Sequence, residues 1–344
     1  LAAGFAYSMK VETKLARNSG SETELEWMGR STVEYCRWVL AEQMKITQEP
    51  FDALHQVWAG GSGGLATSNS PLANVQRTLQ FRNGTATWKI IDLERKININ
   101  TANEAMLQQA FLGIGVDAGD MTPIVGSILD WIDRDSNTHV QGAESDFYHS
   151  MDPPYEAKNG PIDDLSELLF IRGVTPELYW GPSSTNYVAT KYEPRANRMG
   201  AQGPGYAAGL VDIFTPLSRG QINPYTASPT VLTIALGGNA MAADRIVELR
   251  STMGQEGADG APTGGPMGGP MGGGPMGGID INSLLLSAGI SQGQVQQVAR
   301  GFSTRSSTFE VTVDAEVNGY HRQFTAVLGR TNPRDIQVLT FSWK

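Results

Sequence analysis

In this 344-residue chain, β-rich runs stand at both ends of a long helical interior. Thr78–Arg82 and Thr85–Leu93 read as strands, with Asn83-Gly84 between them as a two-residue hairpin signal. Far downstream, Ser307–Val317 alternates around Phe309, Val311 and Val313. Asn318-Gly319 then makes a turn, Tyr320–Leu328 runs back, and Asp335–Trp343 supplies a third strand. Strands at both ends of a helical interval point to an α+β fold in which helices are inserted within one antiparallel sheet.

From Leu1 to about Lys45 the pattern is helical, broken only by Gly4, Ser19-Gly20-Ser21 and Gly29. Its six acids and six bases balance, as expected of one long solvated helix with an apolar stripe. Leu1–Met9 is apolar but too short for a bilayer, which needs about twenty residues. It fits the last turns of a spanning helix flanked by Lys10 and Lys14, or equally a frayed helix start. The single cysteine, Cys36, excludes intrachain disulfides and multi-thiolate zinc sites. It shares a helical stripe with Val33, Leu40 and Met44 and is expected to be a small buried apolar residue.

The interior repeats itself weakly. Lys96-Ile-Asn-Ile-Asn-Thr-Ala-Asn-Glu-Ala-Met-Leu107 is echoed by Gln221-Ile-Asn-Pro-Tyr-Thr-Ala-Ser-Pro-Thr-Val-Leu232, and a third copy starts near Ile279-Asp280-Ile281-Asn282. Each leads into a helix that ends at a glycine turn, near Gly113, Gly237 and Gly289. Thr101 with Glu104 and Asp164 with Glu167 read as capping boxes. Thr122-Pro123 and Thr175-Pro176 each place an N-cap before a first-turn proline. Gly60–Ser70 reads as a Gly/Ser/Asn-rich loop. Gly254–Gly278, with GGPMGGPMGGGPMGG at its centre, reads as a low-complexity loop that cannot bury enough apolar surface to order itself.

Charge is unevenly placed. The chain is −9 overall, against the sign expected of a phosphate binder. Ile97–Trp180 holds 14 Asp and Glu against Arg134, Lys158 and Arg172, so that segment is −11 and the remainder +2. Within it, Asp133, Asp135, Asn137 and Glu144 fall at positions 1, 3, 5 and 12 of a calcium loop, and Asp146 adds a further carboxylate. Thr138 stands where an EF-hand loop has glycine, and Asp152-Pro153-Pro154 leaves no clear exiting helix. A calcium loop of another kind and a merely solvated acidic loop both remain open.

Nothing in the chain demands catalysis. Gly289-Ile-Ser291-Gln-Gly293 formally matches a hydrolase nucleophile elbow, but that elbow needs a preceding strand and Ile281–Ala288 reads as helix. His55, His139, His149 and His321 share no metal spacing. The helix–glycine–helix repeats raise a helix-hairpin-helix nucleic-acid-binding alternative, opposed by Asp117 and Asp120 at the first turn.

Several landmarks occur together: Leu1-Ala-Ala-Gly-Phe-Ala-Tyr-Ser-Met-Lys-Val-Glu-Thr13, Ile97-Asn-Ile-Asn-Thr-Ala102, Asp130-Trp-Ile-Asp-Arg-Asp135, Gly142-Ala-Glu144, Asp152-Pro-Pro-Tyr155 and Asn159-Gly-Pro161. In this order the chain resembles the K-type minor pseudopilins of the bacterial type II secretion system, over nearly its whole length apart from the Gly/Met/Pro loop. The resemblance implies a pilin-like scaffold, a long N-terminal helix on an antiparallel sheet, carrying a large inserted α-helical domain. The expected divisions are 1–45 for the pilin helix, 46–96 for the pilin β region and 97–219 for the inserted helical domain. A second helical part, 220–301, contains the loop 254–278, and 302–344 forms the C-terminal strands. The family implies a non-enzymatic, periplasm-facing subunit of the inner membrane at the pseudopilus tip. Its partners would be the I- and J-type minor pseudopilins, with the H-type and major pseudopilins as further candidates. Family members can bind calcium in the inserted domain, which here falls on Asp133–Asp146. Trp27, Met28, Val33 and Leu40 are candidate partner contacts, with packing on the chain's own sheet as the other reading. A calcium-stabilised adhesion module is the remaining alternative.

Overall fold

The structure, a computed structural model, describes residues 2–47, 49–61, 63, 70–183, 206–252 and 280–343. The low-complexity loop 254–278 and most of the Gly60–Ser70 loop lie outside the described residues. The described residues divide into two units: those of Leu1–Asp92, 250–252 and Arg305–Lys344, and those of Leu93–Leu249 and Ile279–Thr304.

The first unit is a long helix on a five-stranded sheet. Helix α1 spans Ala2–Lys45. Strands β1 (Thr78–Gln80) and β2 (Gly84–Asp92) follow, and then the chain leaves for the second unit. It returns as β5 (Thr308–Val317), β6 (Tyr320–Asn332) and β7 (Asp335–Trp343), giving the order β1-β2-β5-β6-β7, antiparallel throughout. β2 and β5 pair along their whole length, from Gly84 opposite Val317 to Asp92 opposite Phe309. The departure and return points of the insertion are therefore neighbours in one ladder.

Strand alternation sends Ala86, Trp88, Ile90, Phe309, Val311, Val313, Phe324, Ala326 and Leu328 toward α1. There they meet Leu25, Met28, Val33, Cys36, Val39 and Leu40. Burial pushes the Cys36 thiol up, as expected of a small apolar core residue. Gly29 marks a close helix–sheet approach, because a Cβ there would lie 2.7 Å from the Phe324 ring. That ring is itself stacked on Phe341 at 5.5 Å.

The two hairpins differ. Asn318 (φ 52) and Gly319 (φ 81) form a two-residue turn with both φ positive, matching the twist of β5 and β6. Asn83-Gly84 does not. Gln80 pairs with Thr85, and Phe81 N–H donates to Gly84 O at 2.9 Å, so the loop has four residues. Gly84 is used for close approach instead, since a Cβ there would lie 1.9 Å from Glu316 O on β5.

A buried polar cluster ties the root of the insertion. Arg330 forms an ion pair with Asp52 and donates to Ser306 O at 2.7 Å. Ser306 N–H donates to Asp52 at 2.9 Å and its hydroxyl to Asp92 at 2.6 Å. The guanidinium also lies 4.5 Å over the Phe309 ring.

The second unit is built largely from helix–glycine–helix pairs. β3 (Ile97–Asn98) lies parallel to β4 (Phe214–Thr215). α2 (Glu104–Ile114) and α3 (Ala118–Ile132) turn at Gly115, φ +91. α4 (Pro229–Ala235) and α5 (Ala240–Thr252) turn at Gly237 and Gly238, and α6 (Ile281–Ser287) and α7 (Gln292–Ala299) at Gly289. Asp164–Glu167 forms its capping box, over a 3-10 turn, and Thr175 caps the helix Pro176–Trp180. The other two caps shift. Asn103, not Thr101, caps α2, because Thr101 donates its hydroxyl to Asn98 O. Pro123 sits inside α3, whose N-cap residue is Asp117. Among the described residues, no helix is long and apolar enough to cross a membrane.

Two glycines in α1 test this packing. Gly29→Ala is expected to destabilise the first unit by about 1–3 kcal/mol through overpacking on Phe324. Gly20→Ala, with nothing within 4 Å of the added Cβ, should stabilise the helix by up to about 1 kcal/mol. Denaturant melts of both variants check the opposite signs.

Candidate metal site

Helix α3 is amphipathic, and its inward face carries Ile124, Val125, Ile128 and Trp131. Asp130 lies among them with 0% exposure, and Asp133 caps the C-terminal end. Ordinary helices do not bury a carboxylate without a partner for it. The chain then folds back over this end of α3. Gly142 N–H donates to His139 O at 2.9 Å, and Gln141 takes φ 57, closing a turn over residues 139–142. That turn lies against the helix at two glycines. A Cβ on Gly126 would meet Val140 O at 2.8 Å, and one on Gly142 would meet Asp130 Oδ2 at 2.0 Å. Arg172 holds the turn from outside, donating to Gly142 O at 3.1 Å while lying 4.7 Å over the Phe147 ring.

Behind the helix end stands an aromatic wall. Trp131 meets Tyr148 edge-on at 5.4 Å, and Tyr148 stacks on Tyr155 at 5.1 Å. The Asn159 side chain comes back to donate to Asp135 O at 3.3 Å.

Oxygen atoms left without donors collect here. Asp130 Oδ2, Asp133 Oδ1, both oxygens of Glu144 and Asn159 Oδ1 are buried and accept no hydrogen bond. Glu144 as a residue is 7% exposed. One ligand atom each from Asp130, Asp133 and His139 lies within 4.8 Å of the others. Burial, then the charges of Asp130 and Asp133, push the Glu144 carboxyl above its ordinary range. Asp133 is raised by burial first and then by Asp135, while the hydrogen bond to Asp130 raises His139. Acceptors that lack donors, and acids that resist ionising together, are what a hard cation would relieve.

The five residues singled out by loop spacing are placed differently from an EF-hand. Asp133 and Glu144 carry orphaned oxygens. Asp135 is exposed, and its Oδ1 accepts from Asn137 N–H at 2.8 Å and from the Asn137 side-chain amide at 2.7 Å. Asp146 is exposed in the first turn of the helix Ser145–Tyr148. Spacing within the loop missed Asp130, one helical turn before Asp133, and Asn159. The available signal for Asp130 was an acid on the apolar face of α3. Of the candidate partner contacts, Met28, Val33 and Leu40 are core residues of the first unit, because their side of α1 faces the sheet. Only Trp27, 66% exposed, is free of it.

Residues 65–181 match the family model of type II secretion system (T2SS) protein K. A putative type II secretion system protein K of Escherichia coli K12 is 32% identical over 115 residues, 29% of this chain and 35% of the relative. The type II secretion system protein K of Pectobacterium carotovorum subsp. carotovorum is 26% identical over 111 residues, 28% of this chain and 34% of the relative. The aligned stretch thus spans about a third of these relatives' own length. In fold, the chain matches one chain in the crystal structure of the GspK-GspI-GspJ complex from the enterotoxigenic Escherichia coli Type 2 Secretion System. The TM-score is 0.65 at 18% identity, over 96% of this chain and 99% of that one.

Glu144→Gln removes one of the crowded charges at nearly constant shape. In chelator it is expected to raise the melting temperature of the second unit by a few degrees, on the order of 1 kcal/mol. A calorimetric scan of variant and parent checks the sign. Family model, curated relatives and fold agree with the motifs read from the sequence: the chain is similar to type II secretion system protein K over residues 65–181 and shares the fold of a chain in the GspK-GspI-GspJ complex.

Proposed function

We propose that this chain is a structural minor pseudopilin that ends the type II secretion pseudopilus at its tip and helps initiate assembly for export across the outer membrane. The observation that carries this is the splice between β2 and β5. Residues 93–308 leave and re-enter the pilin sheet at paired positions, so a second body is added without interrupting the ladder. Open helical filaments repeat one heterologous contact, and every internal subunit must leave that contact free for the next. A subunit enlarged this way is best accommodated at the end.

I- and J-type minor pseudopilins are the proposed partners, supported by the fold match to a chain of a GspK-GspI-GspJ complex. The H-type and major pseudopilins would lie further down the filament. The docking element is α1, whose N-terminal stretch leaves Phe5 and Tyr7 about 70% exposed. Anchorage in the inner membrane with the folded units facing the periplasm belongs to the same proposal. Affinity capture from detergent-solubilised membranes, with I- and J-type subunits co-expressed, should recover all three together. Failure to recover them, or the protein distributed evenly along filament shafts, would remove the tip assignment.

The proposed ligand of the second unit is calcium, held by Asp130, Asp133 and Glu144 with Asn159. Calcium takes oxygen ligands, commonly carboxylates, side-chain amide carbonyls and water, and these residues offer orphaned oxygens of the first two kinds. At about 100 times the dissociation constant, binding would stabilise the unit by about 2.7 kcal/mol. Melting in calcium should therefore occur at higher temperature than in chelator, and coincident melts would exclude the ion.

A further inference from the structure

We propose that His139 is a positioning residue of the cation site, holding Asp130 by one carboxylate oxygen so that the other is kept for the ion. This rests on the calcium reading above. Asp130 Oδ1 accepts twice from His139, from its backbone N–H at 2.8 Å and from ring Nδ1 at 2.6 Å. With a carboxylate oxygen as its partner, Nδ1 is placed to act as the donor. Two donors converging on one oxygen fix the rotation of the carboxylate. The second oxygen, Oδ2, is left buried with no hydrogen bond.

The same turn keeps space at that second oxygen. Gly142, three residues on, would place a Cβ 2.0 Å from Oδ2 if it were any other residue. The 139–142 turn thus grips Oδ1 at one end and stays clear of Oδ2 at the other. The imidazole also faces the second acid, with Nδ1 3.6 Å from Asp133 Oδ2. Its own side chain is 42% exposed, so its removal opens no core cavity. That separates a positioning role from a packing role.

The test uses the full chain with His139→Ala and His139→Asn, calcium titrated calorimetrically and each variant melted in chelator. Outer-shell partners of metal ligands typically tune affinity 10–100-fold, and His139→Ala should weaken calcium by about that much while remaining folded in chelator. His139→Asn keeps an N–H donor near the place of Nδ1 and should recover most of the affinity. Parent-like affinity in His139→Ala, or no recovery in His139→Asn, overturns the proposal while leaving calcium binding intact. No calcium binding by the parent protein overturns both. If zinc alone binds the parent more tightly than His139→Asn, Nδ1 is a direct ligand and the positioning role is overturned.

Discussion

The pairing of β2 with β5 is the constraint on which the rest of the chain depends. Asp92 and Phe309 face each other in one ladder, so whatever lies between them must begin and end within one strand spacing. The cost of closing so long a connection grows only logarithmically with its length, and a stable second unit removes most of the disorder the loop would otherwise have. The buried cluster at this point follows from the same constraint. Asp92 ends one crossing, Ser306 begins the other, and Asp52 with Arg330 binds Ser306 from the sheet side. A charge pair at this depth adds little net stability over apolar packing. Its geometry instead holds the segment that leads into β5 beside the end of β2.

The second unit has the opposite electrostatic problem. Its acidity is concentrated in one segment, and part of it is turned inward. Asp130 and Glu144 are buried near Asp133, and Arg172 directs its guanidinium to the carbonyls of Gln141 and Gly142 and to the Phe147 ring. Left alone, the arrangement raises the carboxyl pKa values and opposes folding. Glycines at 126 and 142 allow the backbone to come this close, which is a costly way to build a loop unless something is to be held there.

Much of the architecture is legible in the residues because it rests on short-range physics. Asn318-Gly319 turns where its two positive φ values are needed, and three glycine turns separate three helix pairs. Where the reading fails, a tertiary contact has taken the residue for another purpose. Gly84 is consumed by close approach to β5, so the first hairpin widens to four residues. Met28, Val33 and Leu40 lie on the side of α1 that the sheet covers, a choice that helical periodicity alone leaves open between a partner and the chain itself. At the acidic site, spacing finds Asp133 and Glu144 because both lie on the loop. It does not reach the orphaned oxygens of Asp130 on the preceding helix and of Asn159, since groups drawn from three segments share no fixed interval. Asp135 and Asn137 show the converse, an interval that fits while the side chains bond each other.

These two constraints divide the work between the units. The first unit is held by an apolar helix–sheet core built from its own residues. A cation in the second unit would act on the helix end at Asp130–Asp133 and on the turns that fold back to it, leaving the first unit's core untouched. Loss of the ion would then soften the inserted body while the pilin unit kept its fold. The acidity that sets the net charge of the chain is thereby confined to the second unit.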